Sequence, residues 1–430
     1  MQQRYFRIDE SQLLIDSIER VWRKGHIYAR NPAVMEHLLL KTPYRADFAG
    51  AGNYTMLGIW TDEGEVVGLH GLIPQRLNFL GKEYLSVGTT IWKVAAGSGA
   101  NGLSLMDYLN SDKPGMALGL AESETAHRLH RAMNCIMIEA IPRYVCVTRV
   151  KETLENVLDG ETPAEILPVE IRRGGGAGAL AGSAGSLAGF AESLAGGAAA
   201  MSRGELTMGA EGVNARGKLT AELEGVNAQG ALMEGLEGGN MLLSYTVTDS
   251  FDAEEWDEFY HSRFAPIMIG TARDSVFLKW RYQESPVLTY HFLTVKDKAG
   301  SLEGLAVYRI EEILDGRFKI GRILEFISLD EGAAIALARA LLDSDREVLF
   351  WDFYCQSDIT AFGLEAVGFR KIPEWSEKLK FPTRFHPLDY EEIHMSASIY
   401  VDKDIRKKLN PVKGSEWYLT KGDCDIDRAN

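Results

Sequence analysis

The sequence predicts an α/β protein built from two mixed, mostly antiparallel sheets, each flanked by helices and joined by a Gly/Ala-rich linker. Three observations predict it. The order strand, strand, strand, helix, strand, helix, strand can be read twice along the chain, from hydrophobic period and turn residues. Between the two readings lies a segment, 174–240, that holds 18 of the 43 glycines and no tryptophan or tyrosine. Glycine at that density opposes any regular element. Finally, 430 residues with 46% hydrophobic and 25% charged content supply enough core for two or three domains.

In the first half, Tyr54–Trp60 (YTMLGIW), the turn Thr61–Gly64 and Val66–Pro74 read as antiparallel strands. NFL, a turn at Gly81-Lys82 and the longer run YLSVGTTIWKV continue the sheet. A Gly-rich loop at 97–102 then opens a helix, LSLMDYL. The strand GMALGLA, the helix SETAHRLHRAMN and the strand CIMIEAI follow. In the second half, VLTYHFLTVKD, the turn Lys298–Gly300 and LEGLAVYRIEE form a hairpin, with GRILEFISLD as the next strand. EGAAIALARALLDS is an amphipathic helix with an acidic start, which suits the helix dipole. REVLFWDFYC is a buried strand, DITAFGLEAV a helix and GFRKI a strand start. The implied division is an N-terminal domain at 1–172, a low-complexity linker at 173–240 and a C-terminal domain at 241–430. In the linker, SLAG recurs at 186 and 193 and EGVNA at 211 and 224, without the three-residue glycine period of collagen.

A net charge of −15 argues against a nucleic-acid partner, since phosphate binding needs a basic surface. The start, MQQRYFRIDESQLL, lacks the basic and apolar regions of a signal peptide, and no apolar run approaches the ~18 residues of a membrane span. Cys135, Cys146, Cys355 and Cys424 lie far apart without CxxC spacing, the pattern of reduced thiols in a cytoplasmic protein.

Two runs stand out as sites. Trp417–Arg428 (WYLTKGDCDIDR) sets Asp423, Asp425 and Asp427 at alternate positions and ends on Arg428. A strand would put the three carboxylates on one face, where like charges need partners such as Arg428 and Lys421. An EF-hand starting at Asp423 would need twelve residues, and the sequence stops at Asn430, so no metal is expected. The cluster reads either as a grip on an amine or hydroxylated sugar, or as a salt-bridged turn. On the first reading, truncation after Thr420 harms turnover more than stability; on the second it destabilises, because buried partners are left unpaired. The second run, Phe277–Pro286 (FLKWRYQESP), carries Trp280, Arg281 and Tyr282, either a packing anchor or a sugar-facing surface through Arg281.

The element order, GEVVGLHGLIP in the first half, ITAFGLEAVGFRKI in the second, and the runs FLKWRYQESP and WYLTKGDCDIDRAN together resemble the GNAT acyltransferase superfamily. More narrowly they resemble tandem-GNAT proteins encoded with bacterial surface-polysaccharide genes, over about 50–160 and 245–430. The resemblance implies transfer of an acyl group, acetyl or another, from acyl-CoA to a small-molecule amine such as a nucleotide-linked amino sugar. It implies that coenzyme A lies between two splayed strands, its pyrophosphate on backbone amides at a helix N-terminus. The residues that match are Trp92, Val94, Gly97, Ser98, Gly99, Ala100, Asn101 and Gly102, with Gly97 where the family has arginine or glutamine. In the second half, Ser328–Ala334 puts two carboxylates where phosphates would sit. His130 stands where the family places the tyrosine that protonates the leaving thiolate, and can titrate near neutrality. His130 also reads as a helix-face residue capped by water or Glu122; Glu122 itself reads as a base or a capping group. Two other classes fit: a binding or scaffold module with a decayed donor site, and an aminoacyl-tRNA-dependent transferase that extends peptidoglycan, whose insertion would be lysine-rich as this linker is not.

Overall fold

A computed structural model describes residues 1–97, 102–158, 231–236, 242–357, 361–372, 381–382, 384–385, 388–389, 395–409 and 417–427. The strands are β1 (Gln2–Arg7), β2 (Asn53–Trp60), β3 (Val66–Phe79), β4 (Lys82–Val94), β5 (Met116–Leu120), β6 (Ile136–Ile138), β7 (Arg143–Val147), β8 (Ala231–Leu236), β9 (Leu242–Thr248) and β10 (Ile269–Thr271). They continue with β11 (His291–Lys296), β12 (Leu302–Ile313), β13 (Phe318–Ser328), β14 (Val348–Gln356), β15 (Arg370–Ile372), β16 (Arg384–Phe385), β17 (Leu388–Asp389), β18 (Ala397–Val401) and β19 (Leu419–Thr420). The helices that matter below are α1 (Ser11–Ser17), α2 (Pro32–Leu39), α3 (Tyr108–Ser111), α4 (Glu124–Ala132), α5 (Val150–Asn156) and α6 (Glu331–Ser344).

Two mixed sheets flanked by helices result, as the sequence predicts. The first runs β1-β2-β3-β4-β5-β18-β6, with β10 on the far end of β3; the second runs β15-β7-β14-β13-β12-β11-β9-β8, with β19 against β14. Both sheets are covered on two faces, which is why β2 is buried along almost its whole length. Its alternate residues serve different cores: Met56 and Trp60 face Leu14, Ile18 and Leu38 of the N-terminal helices, while Leu57 and Ile59 face Leu72, Val87 and Tyr108. In the second sheet α6 lays Ala333, Leu337 and Leu341 on the same core as Leu305 and Phe326.

Some expectations change. Val66–Pro74 and NFL are one strand, β3, with Pro74 inside it. Proline is tolerated because β2 pairs with β3 only up to Gly71 and leaves that edge free of ladder bonds at Pro74. Leu80 and Gly81, at φ 50° and 82°, make the tight turn into β4. The helix expected from LSLMDYL is a 3₁₀ turn, Ser104–Met106, followed by the single turn α3. Of the segment expected as a linker, Ala231–Leu236 forms β8 paired with β9, and the rest lies outside the described residues.

The halves exchange strands. β18, from the second half, fills the place between β5 and β6 in the first sheet. β7, from the first half, lies between β14 and β15 in the second. The division at 1–172 and 241–430 therefore does not coincide with the sheets. No helix among the described residues is long and apolar enough to cross a membrane.

Candidate active site

Each sheet has one parallel pair, and the two pairs end differently. In the first sheet β4 and β5 pair only from Ser86↔Met116 to Gly88↔Leu118, then part. Beyond that point β4 carries a bulge: Leu69 faces Lys93 and Gly71 faces Thr90, so Ile91 and Trp92 together oppose His70. Ile91 adopts φ 43°, and Ala121, where the chain leaves β5, φ 49°. A left-handed conformation in a β-branched residue stores roughly 1–3 kcal/mol. The two strained residues thus sit on the two arms of one fork. In the second sheet, β13 and β14 part after Ile323↔Phe353. There the gap is filled, because β19 pairs with β14 through Cys355↔Thr420 and Gln356↔Leu419.

The run 417–427 links the two forks. After β19 it makes a 3₁₀ turn, Lys421–Asp423, closed by reciprocal bonds between Thr420 and Asp423. It then passes beneath the first fork. The Gln75 side chain donates to Asp423 O at 2.6 Å, and the Cys424 thiol donates to Leu118 O at 3.5 Å. A Cβ on Gly88 would lie 2.7 Å from Asp423 O, so only glycine admits the tail there. Arg281 donates to Gly422 O at 3.0 Å and to Cys424 O at 2.7 Å.

The three carboxylates do not share a strand face; each has its own buried partners. Asp423 lies 3.0 Å from the fully buried Arg273, which also holds Glu325 at 2.8 Å. Asp425 accepts from Tyr28 at 2.9 Å and Thr90 at 2.7 Å. Asp427 takes three contacts from Arg309, two at 3.1 Å and one at 2.9 Å, and one from Tyr290 at 2.7 Å. Burial alone would raise the Asp427 carboxyl, but Arg309 beside it holds it far below the usual range. Arg428 lies outside the described residues. Asp423 and Arg281 are thus internal ties, and the truncation expected to spare stability would remove buried ionic partners instead. Lys421, expected as a partner for these acids, has its Nζ over the Tyr354 ring, 4.1 Å from the centroid.

A cavity of about 330 Å³ opens between the sheets at the first fork. One wall is Thr89–Lys93 of β4, Leu120 at the end of β5 and Ala121–Ser123 after it; the other is Arg309 and Glu311 of β12, Arg322 of β13 and Tyr354 of β14; the tail supplies Lys421, Asp425 and Asp427. Arg322 Nε is 2.5 Å from Glu311, and Arg309 3.1 Å from the same carboxylate. Behind Tyr354, Arg143 pairs with Asp352 at 2.7 Å.

Glu122 and His130, singled out from sequence, come together. Ser123 caps α4 by accepting from Ala126 N, and this sets Glu122 just before the helix and His130 nearly two turns into it. His130 Nδ1 is 2.9 Å from Glu122, and Ser398 of β18 donates to Glu122 at 2.6 Å. Glu122 lines the main cavity; His130 lies behind it, buried against Trp92, with ring centroids 5.3 Å apart. His130 therefore does not face the cavity as a thiolate donor would. Trp92 also stacks on His70 at 5.5 Å and donates to Gly102 O at 3.1 Å. Burial pushes the His70 ring down to about 4, so it is neutral and donates to Leu105 O at 3.2 Å. Val94 ends β4 opposite Gly68. Gly97 turns at φ 85° with open space around it, and Ser98, Gly99, Ala100 and Asn101 lie outside the described residues. In the second half, Asp330 caps α6 by accepting from Ala333 N at 2.8 Å, so its own carboxylate takes the place an anion would need.

Sequence reasoning missed Ile91, Ala121, Arg309, Glu311, Arg322, Tyr354 and Ser398, and read Lys421 only as an ionic partner. Only their meeting around one cavity, or for Ser398 its bond to Glu122, marks them, and nothing local to each residue does.

No family model matches the chain, and no curated protein does. Solved structures are similar at a distance. A conserved protein of unknown function from Enterococcus faecalis V583, described as a probable N-acyltransferase, is 12% identical over 93% of this chain and 72% of its own, with a TM-score of 0.47. A GCN5-related N-acetyltransferase from Anabaena variabilis ATCC 29413 is 10% identical over the same shares, with a TM-score of 0.48. The N-myristoyltransferase of Saccharomyces cerevisiae, solved with bound myristoyl-CoA and inhibitors, is 11% identical over 93% of this chain and 79% of its own, with a TM-score of 0.42. At such identities and scores the functional reading stands on this chain's own geometry.

Proposed function

We propose that this chain is an acyltransferase that moves an acyl group from acyl-CoA to an amine, with the chemistry at the first fork. The observation that carries the reading is the contrast between the forks. One is held open by a strained bulge and lined by a cavity; the other is filled by β19. Facing strand edges that part leave backbone N–H and C=O groups without ladder partners, and the amides of a pantetheine arm can pair with them as an added strand does. Trp92, Val94 and exposed Lys93 would border that arm, and the loop bounded by Gly97 and Gly102 would meet the phosphates. Because the helix after the loop is one 3₁₀ turn and α3, phosphate binding would rest on loop amides and Lys93 more than on a helix dipole.

The acceptor is an amine. Glu122 would receive it at the fork, with His130 and Ser398 fixing the carboxylate. The opposite wall alternates guanidinium and carboxylate at Arg309, Glu311 and Arg322, which suits the hydroxyls of an amino sugar. The nucleotide-linked amino sugar of surface-polysaccharide synthesis belongs to this proposal as its narrowest form, and the cytoplasm as its setting.

Calorimetric titration with CoA and acetyl-CoA tests the assignment. Wild type is expected to bind both, and Ala126→Trp, which puts an indole on a residue that lines the cavity, to bind neither while melting at the same temperature. A wild type that binds neither ligand sinks the acyltransferase reading and leaves the binding module.

A further inference from the structure

Lys421 is 7% exposed. A buried ammonium has three donors to satisfy, and leaving them without acceptors is costly. Among the described residues its Nζ makes no hydrogen bond or ion pair; its contact is the Tyr354 ring face, and it borders the cavity at the first fork. Charged groups face it from every side: Arg322 on β13, Asp352 on β14, Arg143 on β7 and Asp427 on its own tail. Arg143 and Asp352 are paired to each other, as Asp427 is to Arg309, so both of these carboxylates already hold an arginine. Arg309, Glu311, Glu122, Asp425 and Lys93 complete the charged lining, with His26 beside them.

We propose that Lys421 is the proton acceptor for the amine substrate, its neutral Nζ taking the proton that the bound ammonium loses before attack. The proposal rests on the acyltransferase reading above. The substrate ammonium gives one proton to Lys421 Nζ. The freed nitrogen forms a bond to the thioester carbonyl carbon, and the carbon–sulfur bond breaks. The thiolate leaves with the electron pair and takes the second proton from that nitrogen, and Lys421 later returns its proton to water. The products are the amide, free CoA thiol and one proton. Two of the other cavity carboxylates, Asp427 and Glu311, are poor acceptors because arginines hold them below the usual carboxylate range against the pull of burial, and guanidinium stays charged. Burial, with Arg322 next, lowers the Lys421 amine to about 7, matched to general-base work near neutrality.

The test uses the full chain with acetyl-CoA and two probe nucleophiles, read by thiol release. Ethanolamine is protonated at about pH 7 and needs a base; hydroxylamine is already neutral and does not. Lys421→Met is expected to lower the ethanolamine rate ~10²–10⁴-fold and the hydroxylamine rate by less than about tenfold. The wild-type ethanolamine rate should rise with pH through about 7, and the ¹³Cε lysine resonance missing from Lys421→Met should titrate there. Equal losses with both probes make Lys421 structural and overturn the proposal, as does a resonance titrating near the ordinary lysine value. Acetyl-CoA binding without any wild-type turnover of either probe overturns the proposal while leaving the donor site standing. Absence of binding brings down the acyltransferase reading with it.

Discussion

Lys421 and Asp427 are six positions apart on one buried tail, and their ionisation is pushed in opposite senses by their neighbours. Asp427 meets Arg309 in a bidentate contact and stays charged well into acid. Lys421 meets an aromatic face and two arginines already claimed by other acids. The linkage follows. The folded-state value of about 7 is below the unfolded value of 10.5, so between them the unfolded chain binds more protons. Stability from this position is complete above the unfolded value, falls as the pH drops through that window and stays low beneath about 7. Lys421→Met removes the ionisable group and keeps most of the buried volume. It is expected to raise stability at neutral pH by ~2 kcal/mol or more, with the gain shrinking toward pH 10. Urea unfolding at pH 7 and pH 10 measures both. A destabilised variant at pH 7 would mean the ammonium is paired in the native state.

At the scale of elements, the tail is a strut between two forks. β19 completes the ladder of β14, and Cys424 sits under the arms of the first fork. Arg273, Arg281 and Arg309 all spend donors on it. Truncation after Thr420 leaves these buried guanidiniums without Asp423, Asp427 and two carbonyls. Breaking one buried pair from one side costs ~3–5 kcal/mol. The truncated chain is therefore expected to lose its cooperative melting transition, not merely its turnover. Differential scanning calorimetry decides this: a truncated protein melting within a few degrees of wild type would show the tail to be dispensable for the fold.

For the whole molecule, strand exchange makes the halves mutually dependent. Without β18, β5 and β6 face a gap in the first sheet; without β7, β14 and β15 are separated in the second. Each vacancy exposes ladder donors and acceptors and the buried face of a core strand. Fragments 1–172 and 241–430, expressed apart, are expected to be unfolded or aggregated, and to regain native circular dichroism and co-purify when produced together. A cooperative, monomeric melt of either fragment alone would refute the dependence.

The sequence by itself determined what near neighbours control. Alternating apolar runs laid down the strands from β2 to β5 and from β11 to β14, and an acidic cap with apolar spacing laid down α6. Glu122 and His130 were legible because a capped helix start brings them within reach of one another. Pro74 misled, since its place in one long strand depends on which edge β2 leaves free. The D-x-D-x-D run misled too: alternation implies a shared face only in a strand, and here the backbone turns to reach three separate arginine and hydroxyl sites. Only the tertiary structure decided the strand exchange, the filling of one fork and the opening of the other, and the environment of Lys421. Each depends on backbone edges or charges brought together from distant parts of the chain, and side-chain period carries no record of which edge a strand will find or which charge will already be paired.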